Sequence, residues 1–229
     1  MPRAAMRARP VTAARIAYRS AFVLAMVAGL TGHAQAASPR VALETAMGRI
    51  VVELDSEHAP ISAQNFLRYV ADGHYDGTMF HRAVENFVIQ GGGLDAQMNE
   101  KATRAAIANE AKNGLSNRLG TIAMARETAI DSATAQFYIN VVDNPRLDHV
   151  EVLPEGVTVT RGGKQIHVLP GEADRVFGYA VFGRVIEGME VVERIRHVPV
   201  HTVGQGESMF ENVPIENIII TKAVLLPTT

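Results

Sequence analysis

The sequence predicts one mainly β domain, a sandwich or a barrel, and three observations point to this fold class. Of the 229 residues, 47% are apolar and 20% are charged, which is the balance of a globular protein. Most strand-like runs are short and rich in β-branched and aromatic residues. Clusters of Gly, Asn and Asp separate these runs, a pattern more typical of antiparallel sheets than of alternating βα units.

The domain is predicted to open with a hairpin that is followed by a helix. Residues 41–45 and 50–54 form two β-branched runs, joined tightly at Met47-Gly48. Pro60 suits the first turn of a helix, and Gly73 ends that helix. Between them the apolar residues recur at helical spacing: Ala63, Phe66, Leu67 and Val70.

The rest of the domain is predicted to be mostly strands. Five short runs have strand character, at residues 78–84, 87–90, 121–125, 136–142 and 179–186. A second helix fits residues 189–196, with Val191, Val192 and Ile195 on one face. Residues 217–226 close the chain as a strongly apolar strand.

Residues 150–175 are predicted to form an inserted β-hairpin arm. Two strand-like runs, at residues 157–160 and 165–168, flank Arg161-Gly162-Gly163-Lys164, which is a good hairpin signal. Pro154 and Pro170 bracket the hairpin.

The first 36 residues have the three parts of a secretory signal peptide. Their charged residues are all arginines, five in number, and an unbroken apolar run follows at residues 21–30. A bilayer span needs about 20 apolar residues, so this run is too short. Ala34-Gln35-Ala36 fits a signal-peptidase site. We expect cleavage after Ala36 and export to the periplasm; the alternatives are an organelle transit peptide and a retained membrane anchor.

The composition of the remaining domain, residues 37–229, excludes several function classes. Its 193 residues carry 17 basic and 24 acidic side chains, a net charge of −7, so there is no basic footprint for nucleic acid. Without cysteine, a disulfide framework, a cysteine nucleophile and thiolate metal sites are all excluded. The domain is expected to be a soluble monomer with no membrane insertion after cleavage.

Three weak motifs do not support a metal, nucleotide or hydrolase site. His197 and His201 have helical ligand spacing, but Pro199 lies between them, so a surface loop is the better interpretation. Gly162-Gly163-Lys164 lacks the earlier glycine and the Ser or Thr of a phosphate loop. Ser132 has no nucleophile-elbow glycines. We expect no metal and no cofactor.

The most informative segment is residues 80–93, where an arginine precedes a triple glycine. Strand alternation puts Arg82 on one face with Phe80, and His81 on the other with Ala83. In the next run, alternation pairs Phe87 with Ile89 on one face and Val88 with Gln90 on the other. From these residues alone, a functional arginine and a solvated edge residue are equally open.

The sequence resembles the cyclophilins, the peptidyl-prolyl cis-trans isomerases, and in particular their exported bacterial members. The resemblance covers about residues 40–226, except for the arm, and several motifs in order make it specific. The motifs are Phe80-His81-Arg82 with Phe87 and residues 90–92, then residues 120–126, 132–140, 147–148 and 177–183.

The resemblance implies an all-β fold, an eight-stranded antiparallel closed barrel capped by two α-helices. It also implies that Arg82 is catalytic. Phe87, Val88, Tyr138 and Leu147 would form the proline pocket, with Tyr179 beside them, and Gln90, Ala125 and Gln136 would bind the substrate backbone. The implied substrates are proline-containing unfolded or loop segments of exported proteins.

Several residues depart from the common family pattern. Glu85-Asn86 replaces a frequent Pro-Gly turn, and Val88 replaces a frequent Met. Tyr138 replaces Phe, which we expect to add a hydroxyl to one pocket wall. Arg146 stands where eukaryotic members carry a tryptophan important for cyclosporin binding, so weak cyclosporin sensitivity is expected; Tyr179 replaces a histidine common in those members.

Two functional hypotheses follow from the resemblance. In the first, the protein is an active isomerase that assists the folding of exported proteins. In the second, it is a non-catalytic chaperone or adaptor that binds proline peptides, and its function depends on the arm and not on catalysis. The combination of Arg82, Phe87 and Gln136 favours the first hypothesis.

Overall fold

The computed structural model describes Met1, residues 38–204 and residues 209–227. Apart from Met1, the predicted signal peptide and its cleavage site lie outside the described residues. Within the described part, no helix has both the length and the apolar character needed to cross a bilayer.

Twelve strands and two α-helices are present among the described residues. The strands are β1 (Arg40–Thr45), β2 (Gly48–Leu54), β3 (Thr78–Ala83), β4 (Val88–Asp95), β5 (Thr121–Met124), β6 (Phe137–Asn140), β7 (Val157–Arg161), β8 (Lys164–Val168), β9 (Val181–Glu187), β10 (Val200–Val203), β11 (Phe210–Pro214) and β12 (Ile218–Leu225). The helices are α1 (Pro60–Ala71) and α2 (Met189–Arg196), and short 3-10 turns cover Pro145–Leu147 and Pro170–Arg175.

Eight of these strands close into an antiparallel barrel, in the order β1-β12-β3-β4-β6-β5-β9-β2. The predicted fold class is therefore confirmed. The opening hairpin, both helices and the eight barrel strands lie where the sequence predicts them, within a few residues at their ends, whereas β11 was not predicted. The largest difference is β4, which continues through the triple glycine to Asp95, where it pairs with Thr78 of β3.

Side chains fill the barrel interior, and both helices bury one face against that core. Phe66 of α1 meets the rings of Tyr75, Phe137 and Phe182 at centroid distances of 5.0, 5.5 and 5.3 Å. In α2 the buried residues are the three that the periodicity predicts, Val191, Val192 and Ile195. Because side chains fill the interior of this eight-stranded barrel, a substrate has to bind on the outer surface.

The first turn of α1 is capped by a residue far away in sequence. Ala59 provides no side-chain cap. Instead, the Glu110 carboxylate accepts hydrogen bonds from the backbone N–H groups of Ile61 (2.9 Å) and Ser62 (2.7 Å), and from the Ser62 hydroxyl (2.7 Å). A carboxylate is well placed here because it satisfies free N–H donors at the positive end of the helix dipole.

Two additional hairpins lie outside the barrel. The predicted arm hairpin is confirmed as β7 and β8, paired from Val157 with Val168 to Arg161 with Lys164. The interpretation of residues 197–201 as a loop is wrong in part, because Val200 and His201 belong to β10, which pairs with β11. The residues of β10 are mostly exposed and lack apolar alternation, so β10 depends on its partner strand rather than on a local pattern.

Candidate active site

A bulge in β3 brings His81 and Arg82 to the same outer surface. The pairing of β3 with β4 shifts register between Phe80 and Arg82. Phe80 and Ala83 both lie in the barrel core, while His81 and Arg82 both line an outer cleft. The prediction that Phe80 shares a face with Arg82 is therefore wrong, because a bulge inserts a residue and breaks strict alternation.

The turn between β3 and β4 places Phe87 on the outer surface. The Phe87 N–H donates to the Val84 carbonyl at 2.9 Å, and the Val84 N–H donates to the Val88 carbonyl at 2.9 Å, so Glu85-Asn86 completes a tight turn. Ile89 is in the core and Val88 is outside it, as alternation predicts. Phe87 instead packs beside Val88, because it belongs to the turn and not to the strand.

The predicted pocket residues come together in one apolar cluster on the outside of the barrel. Val88 and Tyr138 are buried in it, and Phe87, Leu147, Tyr179 and Ala125 pack around them. The cluster also contains three residues that were not predicted as pocket residues, namely Ala123, Val181 and Leu115. Period-two spacing from Ala125 and Tyr179 along β5 and β9 could have identified the first two.

Arg82 lies beside this pocket in a chain of polar contacts. Its guanidinium carbon is 5.6 Å from the centroid of the Phe87 ring, and Nη1 donates to Gln90 Oε1 at 3.5 Å. Gln90 Nε2 in turn donates to Gln136 Oε1 at 3.0 Å. Burial lowers the pKa of Arg82, and the negative charge of Glu211 acts in the opposite direction. An arginine stays cationic at neutral pH, so the site has a fixed positive donor.

The three residues predicted to bind the substrate backbone share one shallow groove. Gln90, Ala125 and Gln136 line a space of about 210 Å³ together with four neighbours in the β5–β6 region, Arg126, Glu127, Ser132 and Thr134. Gly93 leaves the space that the Gln136 side chain occupies, since a Cβ at this position would collide with that side chain. Packing against Gln136 therefore requires glycine at the last position of the triple glycine.

Two arginines cover the rim of the pocket, and both contact the arm. The Arg146 guanidinium lies 4.3 Å from the Phe87 ring centroid, and that of Arg126 lies 4.8 Å from the Tyr179 ring centroid. Arg161 of the arm donates to the Arg146 carbonyl at 3.5 Å. Arg126 Nη2 donates to the carbonyl of Asp174 at 3.2 Å. The arm is thus attached next to the pocket, through the backbone carbonyl of Arg146 and the side chain of Arg126.

A buried polar network supports the pocket from behind. The Tyr138 hydroxyl donates to Asn117 Oδ1 at 2.7 Å, and Asn117 Nδ2 donates to Asp148 Oδ1 at 3.0 Å. Asn144 Nδ2 donates to the carbonyl of Phe87 at 2.8 Å. Burial raises the pKa of Tyr138 well above its ordinary value, so the hydroxyl remains a donor.

The network corrects one expectation about the pocket wall. The Tyr138 hydroxyl does not add a polar group to the pocket surface, because it is buried against Asn117. Sequence reasoning missed Asn117 entirely. It lies in the irregular segment between β4 and β5, where no periodic pattern indicates a role.

Taken together, the outer surface presents a fixed cation, an apolar pocket and a groove with amide side chains. The apolar cluster and the two amide side chains lie next to each other on this surface. Such a surface can hold a polypeptide and stabilise a change of charge distribution at one atom.

Comparisons with known proteins point to a single family. Residues 40–224 match the family model of the cyclophilin type peptidyl-prolyl cis-trans isomerase. The chain is 42% identical over 204 residues to peptidyl-prolyl cis-trans isomerase A of Dickeya dadantii, covering 89% of this chain and 93% of that protein. It is 45% identical over 192 residues to the peptidyl-prolyl cis-trans isomerase of Acinetobacter baylyi, covering 83% and 87%.

The solved structures show the same fold at lower sequence identity. A crystal structure of a cyclophilin type peptidyl-prolyl cis-trans isomerase from Cryptosporidium parvum has a TM-score of 0.60 and 22% identity, covering 84% of this chain and 99% of that one. A second structure of that protein, determined in the presence of the dipeptide Ala-Pro, has a TM-score of 0.59.

Proposed function

The chain belongs to the cyclophilin-type peptidyl-prolyl cis-trans isomerases, and from this premise we propose that it is an exported isomerase in which Arg82 is the catalytic residue. Its substrates would be proline-containing segments of other exported proteins, whose folding it assists. The observation that carries the proposal is the position of Arg82, which lies beside the apolar pocket and is connected to both amide side chains.

The uncatalysed reaction defines what the site has to do. Resonance gives the peptide C–N bond partial double-bond character, so the rotation barrier is about 18–20 kcal/mol. Exchange of an Xaa-Pro bond therefore takes roughly 10–100 s without a catalyst. Millisecond exchange requires about four orders of magnitude, or about 5.5 kcal/mol of transition-state stabilisation. No covalent bond breaks, so no nucleophile is required.

Arg82 is suited to stabilise the twisted transition state. When the C–N bond rotates, the prolyl nitrogen loses its resonance and becomes a hydrogen-bond acceptor. A guanidinium N–H directed at this nitrogen binds the twisted state more strongly than the planar one, which is the condition for catalysis. One preorganised donor is worth about 2.7–4 kcal/mol.

The pocket and groove provide the remaining stabilisation by holding the two sides of the bond. In our proposal the proline ring packs against Phe87, Val88, Tyr138 and Leu147. The backbone next to the ring is held by Gln90 and Gln136. Holding both sides restricts the substrate to conformations close to the twisted state. This lowers the entropic contribution to the activation free energy of the rotation.

Export to the periplasm is supported by the arginine-rich, apolar and small-residue pattern of residues 1–36. It is tested by expressing the full chain in a Gram-negative host and sequencing the N-terminus of the protein recovered from the periplasm. We expect Ala37 as the first residue. Protein retained in the cytoplasm with an intact N-terminus would contradict this part of the proposal.

The catalytic role is tested by exchange of an Xaa-Pro peptide, measured by NMR with wild type and Arg82→Ala. We expect kcat/KM to fall about 10²- to 10³-fold, the typical effect of removing one transition-state donor. Arg184→Ala is the matched control, because Arg184 is exposed on β9 and pairs with Glu53 away from the pocket. Circular dichroism verifies that both variants fold. Equal rates for wild type and Arg82→Ala would refute the role of Arg82.

A further inference from the structure

A second cleft adjoins the candidate active site and shares three of its residues. Its volume is about 370 Å³, and Arg82, Gln90 and Gln136 form one side. The remaining lining residues are His81, Leu94, Glu100, Met209, Phe210 and Glu211. A peptide bound in the groove of Gln90 and Gln136 would therefore lie directly beside this cleft.

The outer wall of the cleft is apolar although it faces solvent. Met209 and Phe210, the residue before β11 and its first residue, are 48% and 36% exposed, while Leu94, which also lines the cleft, is buried. Large apolar side chains left exposed at the edge of a concave surface are typical of a binding site. They are suited to the methylene stem of a long side chain.

The charges in the cleft are unbalanced. Glu100 and Glu211 are both exposed, and neither forms an ion pair with a cation among the described residues. Arg82 is the cleft's only cationic lining residue in the described part of the chain. Burial holds the pKa of His81 at about 4, so this imidazole is neutral at neutral pH. Two carboxylates thus face one guanidinium, which leaves an excess negative charge.

The buried side of the cleft also has unused hydrogen-bonding capacity. His81 is 5% exposed, and its Nδ1 has no hydrogen-bond partner among the described residues. Buried polar atoms normally have a partner, so an unpaired one in a residue that lines a cleft is unusual.

We propose that this cleft is a second substrate subsite, which takes a lysine or arginine side chain close in sequence to the isomerised proline. The aliphatic stem packs against Met209 and Phe210, and the cationic end lies between Glu100 and Glu211. The inference rests on the proposed isomerase function, and it adds a preference for basic flanking residues to it.

The test compares peptides that differ at one position only. Each carries one Xaa-Pro bond and either lysine or norleucine at one of the three positions before or after the proline. Norleucine keeps an unbranched aliphatic chain and removes the charge. At one position we expect kcat/KM to be about two- to fivefold higher with lysine, the range expected for exposed ion pairs. The ratio should approach one near 1 M salt, where the Debye length is about 3 Å.

Variants identify the cleft as the source of the preference. The double variant Glu100→Gln, Glu211→Gln is expected to bring the lysine-to-norleucine ratio close to one. Glu216→Gln, which removes an exposed carboxylate outside the cleft, should keep the wild-type ratio. Circular dichroism establishes that each variant is folded.

Two results would overturn the subsite. One is a wild-type ratio near one at every position, or a preference for norleucine, while the norleucine peptides are turned over normally. The other is a lysine preference that survives in the double variant. In both cases the isomerase function stands. Absence of turnover for every peptide would instead refute the proposed function, and the subsite with it.

Discussion

Substitution Tyr138→Phe separates the role of the pocket ring from that of its buried hydroxyl. The hydroxyl donates one hydrogen bond to Asn117 Oδ1 at 2.7 Å, and the same oxygen also accepts from Asn140 Nδ2 at 3.2 Å. Removing the hydroxyl therefore leaves the acceptor with a partner. The expected loss is that of one net hydrogen bond, about 1 kcal/mol. For a domain of this size the melting temperature falls by about 2–4 °C.

The companion variant Asn117→Ala should destabilise the protein more. It leaves the Tyr138 hydroxyl buried without a partner, which adds a desolvation penalty of about 1–3 kcal/mol. Asn140 is less affected, because its Nδ2 also donates to Thr121 Oγ1 at 2.9 Å. The free energy of unfolding is therefore expected to be highest for wild type, lower for Tyr138→Phe and lowest for Asn117→Ala.

Urea denaturation and peptide exchange by NMR test this reasoning together. For Tyr138→Phe we expect kcat/KM to stay within about twofold of wild type, since the ring still packs in the apolar cluster. A large loss of turnover at unchanged stability would mean that the hydroxyl acts on the substrate. Equal destabilisation by both variants would contradict the argument about the unpaired hydroxyl.

Three other predictions concern Gln136, the α1 cap and pH. Gly93→Ala should displace the Gln136 side chain and lower kcat/KM by at least about tenfold in the peptide assay; unchanged turnover would contradict the packing argument. Glu110→Gln should lower the free energy of unfolding by about 1–2 kcal/mol, measured in urea, because an amide NH₂ cannot accept from the Ser62 N–H or hydroxyl; an unaltered midpoint would exclude the cap. The pKa of His81 is about 4 in the folded protein and near 6.5 unfolded, so the unfolded state binds more protons between these values. The free energy of unfolding should fall by on the order of 3 kcal/mol on acidification from pH 6.5 to 4 because of His81. The variant His81→Gln should lack this contribution to the pH dependence of stability. The same pH dependence in wild type and variant would refute the role of His81.

Much of the barrel could be predicted because its strands and helices carry local patterns. The buried face of α2 follows from helical periodicity. The arm hairpin follows from the turn residues Gly162-Gly163 and the strand-like runs on either side of them. Likewise, the pocket residues belong to motifs that are contiguous in sequence, so the resemblance could identify them before any contact was known. Their convergence in one outer cluster requires that β4, β5, β6 and β9 are neighbours and that the turn at Pro145–Leu147 packs against them.

Other features could not be predicted, because they depend on contacts between distant residues. The bulge at His81 breaks the expected alternation of faces along β3, and nothing in the tripeptide Phe80-His81-Arg82 signals it. Glu110 caps a helix that begins 50 residues earlier, a distance that no capping-box pattern covers. Phe210 and Glu211 reach the cleft only because β11 lies against β3.

The sequence alone therefore determined the class of the fold, the barrel strands, both helices and a set of candidate site residues, since alternation, turn signals and motifs are properties of neighbouring residues. The tertiary structure decided which faces those residues occupy, which buried groups support them and what lies beside them. The physical reason is closure of the barrel: register shifts and long-range hydrogen bonds form to satisfy the packing of the whole core, and no local segment contains that information.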